Sequence, residues 1–126
     1  MRDIQCEKII DTIREMCIEA AYFLSDDMKN AMNQAVKEEV SPLGTQVLDS
    51  LIENMKIAEK DMIPICQDTG MAVIFLEIGQ EVHITGGFLE DAVNEGVRRG
   101  YIDGYLRKSV VRDPLDRVNT KDNTPA

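Results

Sequence analysis

PICQDTGMAVIF, residues 64–75, is the point where this 126-residue sequence changes character. Before it the chain reads as helices. After it a short apolar run, MAVIFLEIG (71–79), carries β-branched and aromatic side chains and reads as a buried strand. Between the two stand Cys66, Gln67, Asp68, Thr69 and Gly70: a thiol, an amide, a carboxylate, a hydroxyl and a flexible backbone in a row. A plain turn needs only the glycine. A loop closing on a rigid strand is a common place for chemistry, because the strand holds still what the loop presents.

Working outward, Asp3 to about Leu24 places Ile9, Ile10, Ile13, Cys17, Ala20, Ala21 and Leu24 at gaps of three and four, which predicts an amphipathic helix. Ser25 with Asp26 and Asp27 forms a cap and an acidic first turn for a second helix to about Glu39. Ser41-Pro42 opens a third, to about Lys60, because serine caps and proline fits the first helical position. Downstream, Gly79-Gln80 predicts a turn, and EVHITGG (81–87) alternates as a strand antiparallel to 71–79. Residues 88–108 read as a long helix in which Gly96, Gly100 and Gly104 recur every fourth position and share a face. Each glycine there costs about 1 kcal/mol relative to alanine. Close packing of another backbone is the favoured reason, with a ligand role as the alternative. From Ser109 the chain is dense in turn formers: Asp113-Pro114, Asn119, Asp122-Asn123 and Thr124-Pro125. The expected fold class is α+β. It has N-terminal helices, a small sheet with an antiparallel pair near 71–86, a glycine-lined helix and an irregular C-terminal tail, in one domain over 1–126.

Composition narrows the function. Apolar residues are 44% and charged residues 29%, ordinary for a globular domain, and no apolar run is long enough for a membrane span. Three cysteines and an N-terminus without a secretory pattern predict a reducing, cytoplasmic setting rather than a disulfide framework. The net charge of −9 argues against a general nucleic-acid binder. The charge is uneven: residues 98–126 hold 7 basic and 4 acidic residues, against 7 and 19 in residues 1–97. A basic end on an acidic body either steers an anion or docks on an acidic surface.

Cys66 reads three ways: nucleophile, metal ligand or buried thiol. A Cys/His pair is weak, since the single histidine, His83, sits on an alternating strand. Cys6 and Cys17 lie about 16 Å apart along an intact helix, so both cannot join Cys66 at one metal centre. They read as core or partner-facing residues. Asp68 is either an acid/base group or the cap of its own turn.

ICQDTG followed by an apolar strand resembles the signature of the class I, iron–sulfur-dependent fumarate hydratases and the related L(+)-tartrate dehydratases. GYLRKSVVRDPLDRVNTKDNTPA (104–126) resembles a second segment of the same family. The resemblance implies a hydro-lyase component acting on a C4 dicarboxylate such as fumarate or malate. It implies an N-terminal part of an α-type subunit, in an oligomer with a β subunit or C-terminal domain. It also implies a [4Fe–4S] cluster held by three cysteines in the complete enzyme, with Cys66 the first ligand and the other two beyond this chain. The fragment alone is then expected to lack the cluster and to be inactive. Gln67 and Asp68 would face substrate, Asp68 as proton carrier, and Arg107 would grip a substrate carboxylate. The alternatives are a tartrate dehydratase α component and a non-catalytic assembly domain that keeps the fold without the cluster. One departure stands out: Lys121 occupies a position that is glycine in the family's NTGDNTP motif, and a left-handed backbone there would strain a lysine.

Overall fold

A computed structural model describes residues 1–126. The order is β1 (Arg2–Gln5), α1 (Cys6–Tyr22), α2 (Asp26–Glu38), α3 (Pro42–Asp61), β2 (Val82–Thr85) and α4 (Leu89–Asp103). The core lies between α1 and α4, where Ile13, Tyr22, Val97, Tyr101 and Leu106 cluster. Glycine makes that contact possible. A Cβ at Gly96 would sit 2.7 Å from the Ile13 Cβ, and one at Gly100 would sit 3.0 Å from the Arg14 carbonyl oxygen. The glycine face is therefore a packing face.

The small sheet corrects the expected topology. β2 pairs with β1, in parallel, with Arg2 opposite Val82 and Gln5 opposite Thr85. The antiparallel partner expected at 71–79 is not in the sheet; that run has no ladder partner and belongs to no regular element. The turn at Gly79 does form, with the Val82 amide donating to the Gly79 carbonyl (3.1 Å). The strand it releases finds the N-terminal residues instead. There the Asp3 and His83 side chains, partners in the parallel register, meet across the ladder at 3.2 Å.

Helix boundaries shift for similar local reasons. α1 starts at Cys6 rather than Asp3 because residues 2–5 are taken by the ladder. α3 opens as expected: Pro42 sits in its first turn and the Ser41 hydroxyl accepts from the Gly44 amide at 3.4 Å. α4 stops at Asp103, short of residue 108. Gly104 caps it, Tyr105 turns left-handed (φ 54°), and the buried Tyr22 hydroxyl donates to the Gly104 carbonyl at 2.9 Å. No helix is long and apolar enough to cross a membrane.

Candidate active site

The ICQDTG loop is tied down at both ends. At its start, the Ile65 amide donates to the Ala21 carbonyl (2.9 Å), and the Asn54 side-chain amide donates to the Ile65 carbonyl (2.8 Å). At its end, the Tyr101 hydroxyl is shared between the carbonyls of Thr69 (3.0 Å) and Gly70 (3.2 Å). Gly70 adopts φ 63°, the left-handed region that favours glycine. Between these anchors Cys66, Gln67 and Asp68 are exposed. The thiol turns back on its own loop, where Sγ accepts from the Asp68 amide at 3.4 Å.

Asp68 closes its own turn: Oδ1 accepts from the Gly70 amide at 3.2 Å. That contact engages one carboxylate oxygen and leaves Oδ2 for other use. The turn-cap and acid/base readings are thus compatible in geometry.

Arg107 comes to the same place through Thr69. The Arg107 amide donates to Thr69 Oγ1 (2.9 Å), and the Thr69 hydroxyl donates back to the Arg107 carbonyl (3.2 Å). Its side chain is exposed. Arg107, Lys108, Arg112, Arg117 and Lys121 enter no ion pair, whereas Arg98 and Arg99 are matched by acids of the body: Arg98 by Glu95 and Asp122, Arg99 by Glu7 and Glu95. The unmatched positive charge therefore gathers on the segment that adjoins the loop.

The sequence reading missed Asn123, which looked like one turn former among many. It is fully buried. Its Oδ1 accepts from the amides of Ser109 (2.8 Å) and Val110 (3.1 Å), and its Nδ2 donates to the Gly70 carbonyl (3.1 Å). The strain foreseen at Lys121 is present, at φ 67°.

The three cysteines do not converge into a metal centre. Cys6 is buried at the first turn of α1 with its thiol toward the Phe88 carbonyl. Cys17 lies eleven residues further along the same unbroken helix, and burial pushes its thiol up. No group of three or more His, Cys, Asp or Glu side chains could hold a metal ion. An apolar groove of about 440 Å³ between α1 and residues 65–74 brings Cys17 and Cys66 onto one wall system, beside Asp68 and Thr69. Only the Cys66 thiol is exposed there, Cys17 being half-buried, and one thiolate does not hold a cluster.

The fumarate hydratase (Fumerase) family model matches residues 10–126. The chain belongs to the fumarate hydratase family. It is 40% identical, over 117 residues, to a Methanocaldococcus jannaschii protein provisionally named an L(+)-tartrate dehydratase α subunit; the match covers 92% of this chain and 41% of that protein. It is 43% identical over 77 residues to the anaerobic class I fumarate hydratase of Escherichia coli K12, covering 60% of this chain and 14% of that enzyme. It is 30% identical over 101 residues to the L(+)-tartrate dehydratase α subunit of Escherichia coli O157:H7, covering 80% of this chain and 33% of that subunit. The chain therefore spans less than half the length of these relatives.

Proposed function

We propose that this chain is one component of a hydro-lyase that adds and removes water across the double bond of a C4 dicarboxylate, fumarate to malate. The observation that carries the reading is the doubly anchored Cys66–Gly70 loop with Arg107 bound to it through Thr69. Relatives named fumarate hydratase and tartrate dehydratase support the same reaction class. An L(+)-tartrate substrate is the second reading, favoured by the relatives named as α subunits, which also suggest a β subunit or C-terminal domain as partner. A cytoplasmic, oligomeric enzyme fits this proposal.

In it, the Arg107 guanidinium pairs with a substrate carboxylate, a match of planar fork to planar acceptor. The Gln67 amide hydrogen-bonds the same substrate. Asp68 takes or gives the proton at carbon through Oδ2, while its Oδ1 stays on the Gly70 amide and fixes the carboxylate's direction. For a longer protein the proposal includes a [4Fe–4S] cluster, whose chemistry is Lewis-acid polarisation of a bound oxygen. Cys66 would supply one thiolate to it. The residues here do not suffice to hold that cluster, and the chain alone is proposed to be inactive. A non-catalytic assembly role is the rival that this single thiol keeps in play.

The test is a chimera in which this chain replaces the matching residues of the Methanocaldococcus relative, assayed with fumarate, malate and L(+)-tartrate. Asp68→Asn should lower turnover by roughly 10²–10⁴-fold. Arg107→Ala should chiefly raise the Michaelis constant, as loss of a contact equal in ground and transition states does. Normal turnover in Asp68→Asn would leave that residue a turn cap. An unchanged Michaelis constant in Arg107→Ala would remove Arg107 from binding and turn attention to Arg112. A chimera inactive on all three substrates would favour the assembly role.

A further inference from the structure

Asn123 uses both ends of its side-chain amide, and each end serves a different part of the site. The oxygen holds the amides of Ser109 and Val110, just past Arg107. The nitrogen holds the Gly70 carbonyl, where the Cys66–Thr69 loop ends. Asn123 is itself fixed. Its neighbour Asp122 accepts from the Thr124 amide and hydroxyl and pairs with Arg98 of α4, and the Ala126 amide donates to Asn94 of the same helix. At φ 64° its backbone lies in the left-handed region that asparagine tolerates better than most residues. A residue that both donates and accepts, without charge and without access to water, is what this junction requires.

We propose that Asn123 is a positioning residue: it sets the Asp68 carboxylate and the Arg107 guanidinium at a fixed separation by tying their two segments to one buried amide. This rests on the hydro-lyase reading for its catalytic meaning, but the tie itself can be tested without activity. Asn123→Asp separates the two halves. As the carboxylate it keeps an acceptor for Ser109 and Val110 and loses the donor to Gly70; the neutral acid would keep both, so exchange is compared with the parent at a pH above the titration of that carboxyl.

The first arm uses this chain alone and measures amide exchange by NMR. In Asn123→Asp the Ser109 and Val110 amides stay protected. The Arg107 amide, held by Thr69 Oγ1, exchanges about fivefold to tenfold faster, the factor expected for one lost hydrogen bond. Unchanged Arg107 exchange would overturn the inference, whatever the enzyme does. Should Asn123→Asp fail to fold, Asn123→Gly suits the same backbone and is read in the same way, with Ser109 and Val110 released as well.

The second arm uses the chimera. Asn123→Asp should lower turnover by about 100-fold, the scale of a misplacement of about 1 Å. In an Asp68→Asn background it should add almost nothing, because it acts through Asp68. A full, additive loss in that background would overturn the positioning role and leave a structural one. An inactive parent chimera would sink the hydro-lyase reading, and the exchange arm would still decide the tie.

Discussion

The two helix pairs of this chain are built from similar amphipathic sequences and end in different states. α1 and α4 approach until the Gly100 backbone lies against the Arg14 carbonyl, and they bury Ile13, Val97 and Tyr101 between them. α2 and α3 run alongside each other with no buried residue in α2 and only Met55 and Ala58 buried in α3. Leu43, Val47 and Leu51 stay exposed on α3, and a Lys29–Glu59 ion pair at 3.3 Å bridges the pair. Surface area tells the same story. The chain exposes 9147 Å², where a compact monomer of 14.2 kDa exposes about 6,800 Å². Periodicity says that a helix has an apolar face. Only the small residues facing a partner say how closely that face is used.

The contrast can be broken most severely at its packed end. Ile13→Ala should lower unfolding free energy by about 2–5 kcal/mol, as deletion of a buried aliphatic side chain does. Leu51→Ala, at 48% exposure, should lower it by under about 1 kcal/mol. Urea titration of both variants checks the pair, and equal losses would mean that the second helix pair is as well packed as the first.

Gly100→Ala comes next. Crowding against α1 costs about 1–3 kcal/mol, offset by up to about 1 kcal/mol from better helix propensity. A net loss of about 1 kcal/mol is expected, and a stabilised variant would show that α1 can retreat freely. Lys121→Gly acts in the opposite direction, relieving a left-handed lysine for a gain of about 0.5 kcal/mol in thermal unfolding.

The smallest effect is local and depends on pH. Amides of Asp116 and Leu115 donate to Asp113 and hold its carboxyl below the usual range. Burial pushes Asp122 up, but the Thr124 amide and hydroxyl and Arg98 outweigh it and leave it lowered. A carboxyl lowered in the fold binds its proton more readily in the unfolded chain. Its contribution is present above the unfolded value near 4 and is lost as pH falls through the folded value. Amide resonances of Leu115, Asp116 and Thr124 should therefore shift below about pH 4, and a chain in which these three do not move would show that the two carboxyls are not held by those amides.

The helices were legible because their signals are local. Ser41-Pro42 announces α3, and the spacing from Ile9 to Leu24 announces α1, whatever the rest of the chain does. The β1–β2 ladder was not, since Asp3 is a poor strand former, the segment is only four residues long, and only a partner some 80 residues away makes Arg2–Gln5 extended. The run 71–79 failed in the opposite way. Its composition fits a strand, but no backbone in this chain lies beside it to pair. At the site, Cys66, Gln67 and Asp68 stand out by residue type in an otherwise plain loop. Asn123 does not, because an asparagine among turn formers looks the same whether it faces water or, as here, three backbone groups at once.

The Tyr22–Gly104 hydrogen bond joins residues 82 apart in the chain. During synthesis at about 5–20 residues per second, α1 waits about 4–16 s for the helix that covers it. Its apolar stripe is meanwhile open to any passing surface. Closure of this core is therefore gated by the arrival of α4 and Gly104. A burst of expression crowds more half-made chains together during that interval, so it should send more of the chain into aggregates than slow expression does, even though the finished fold is the same.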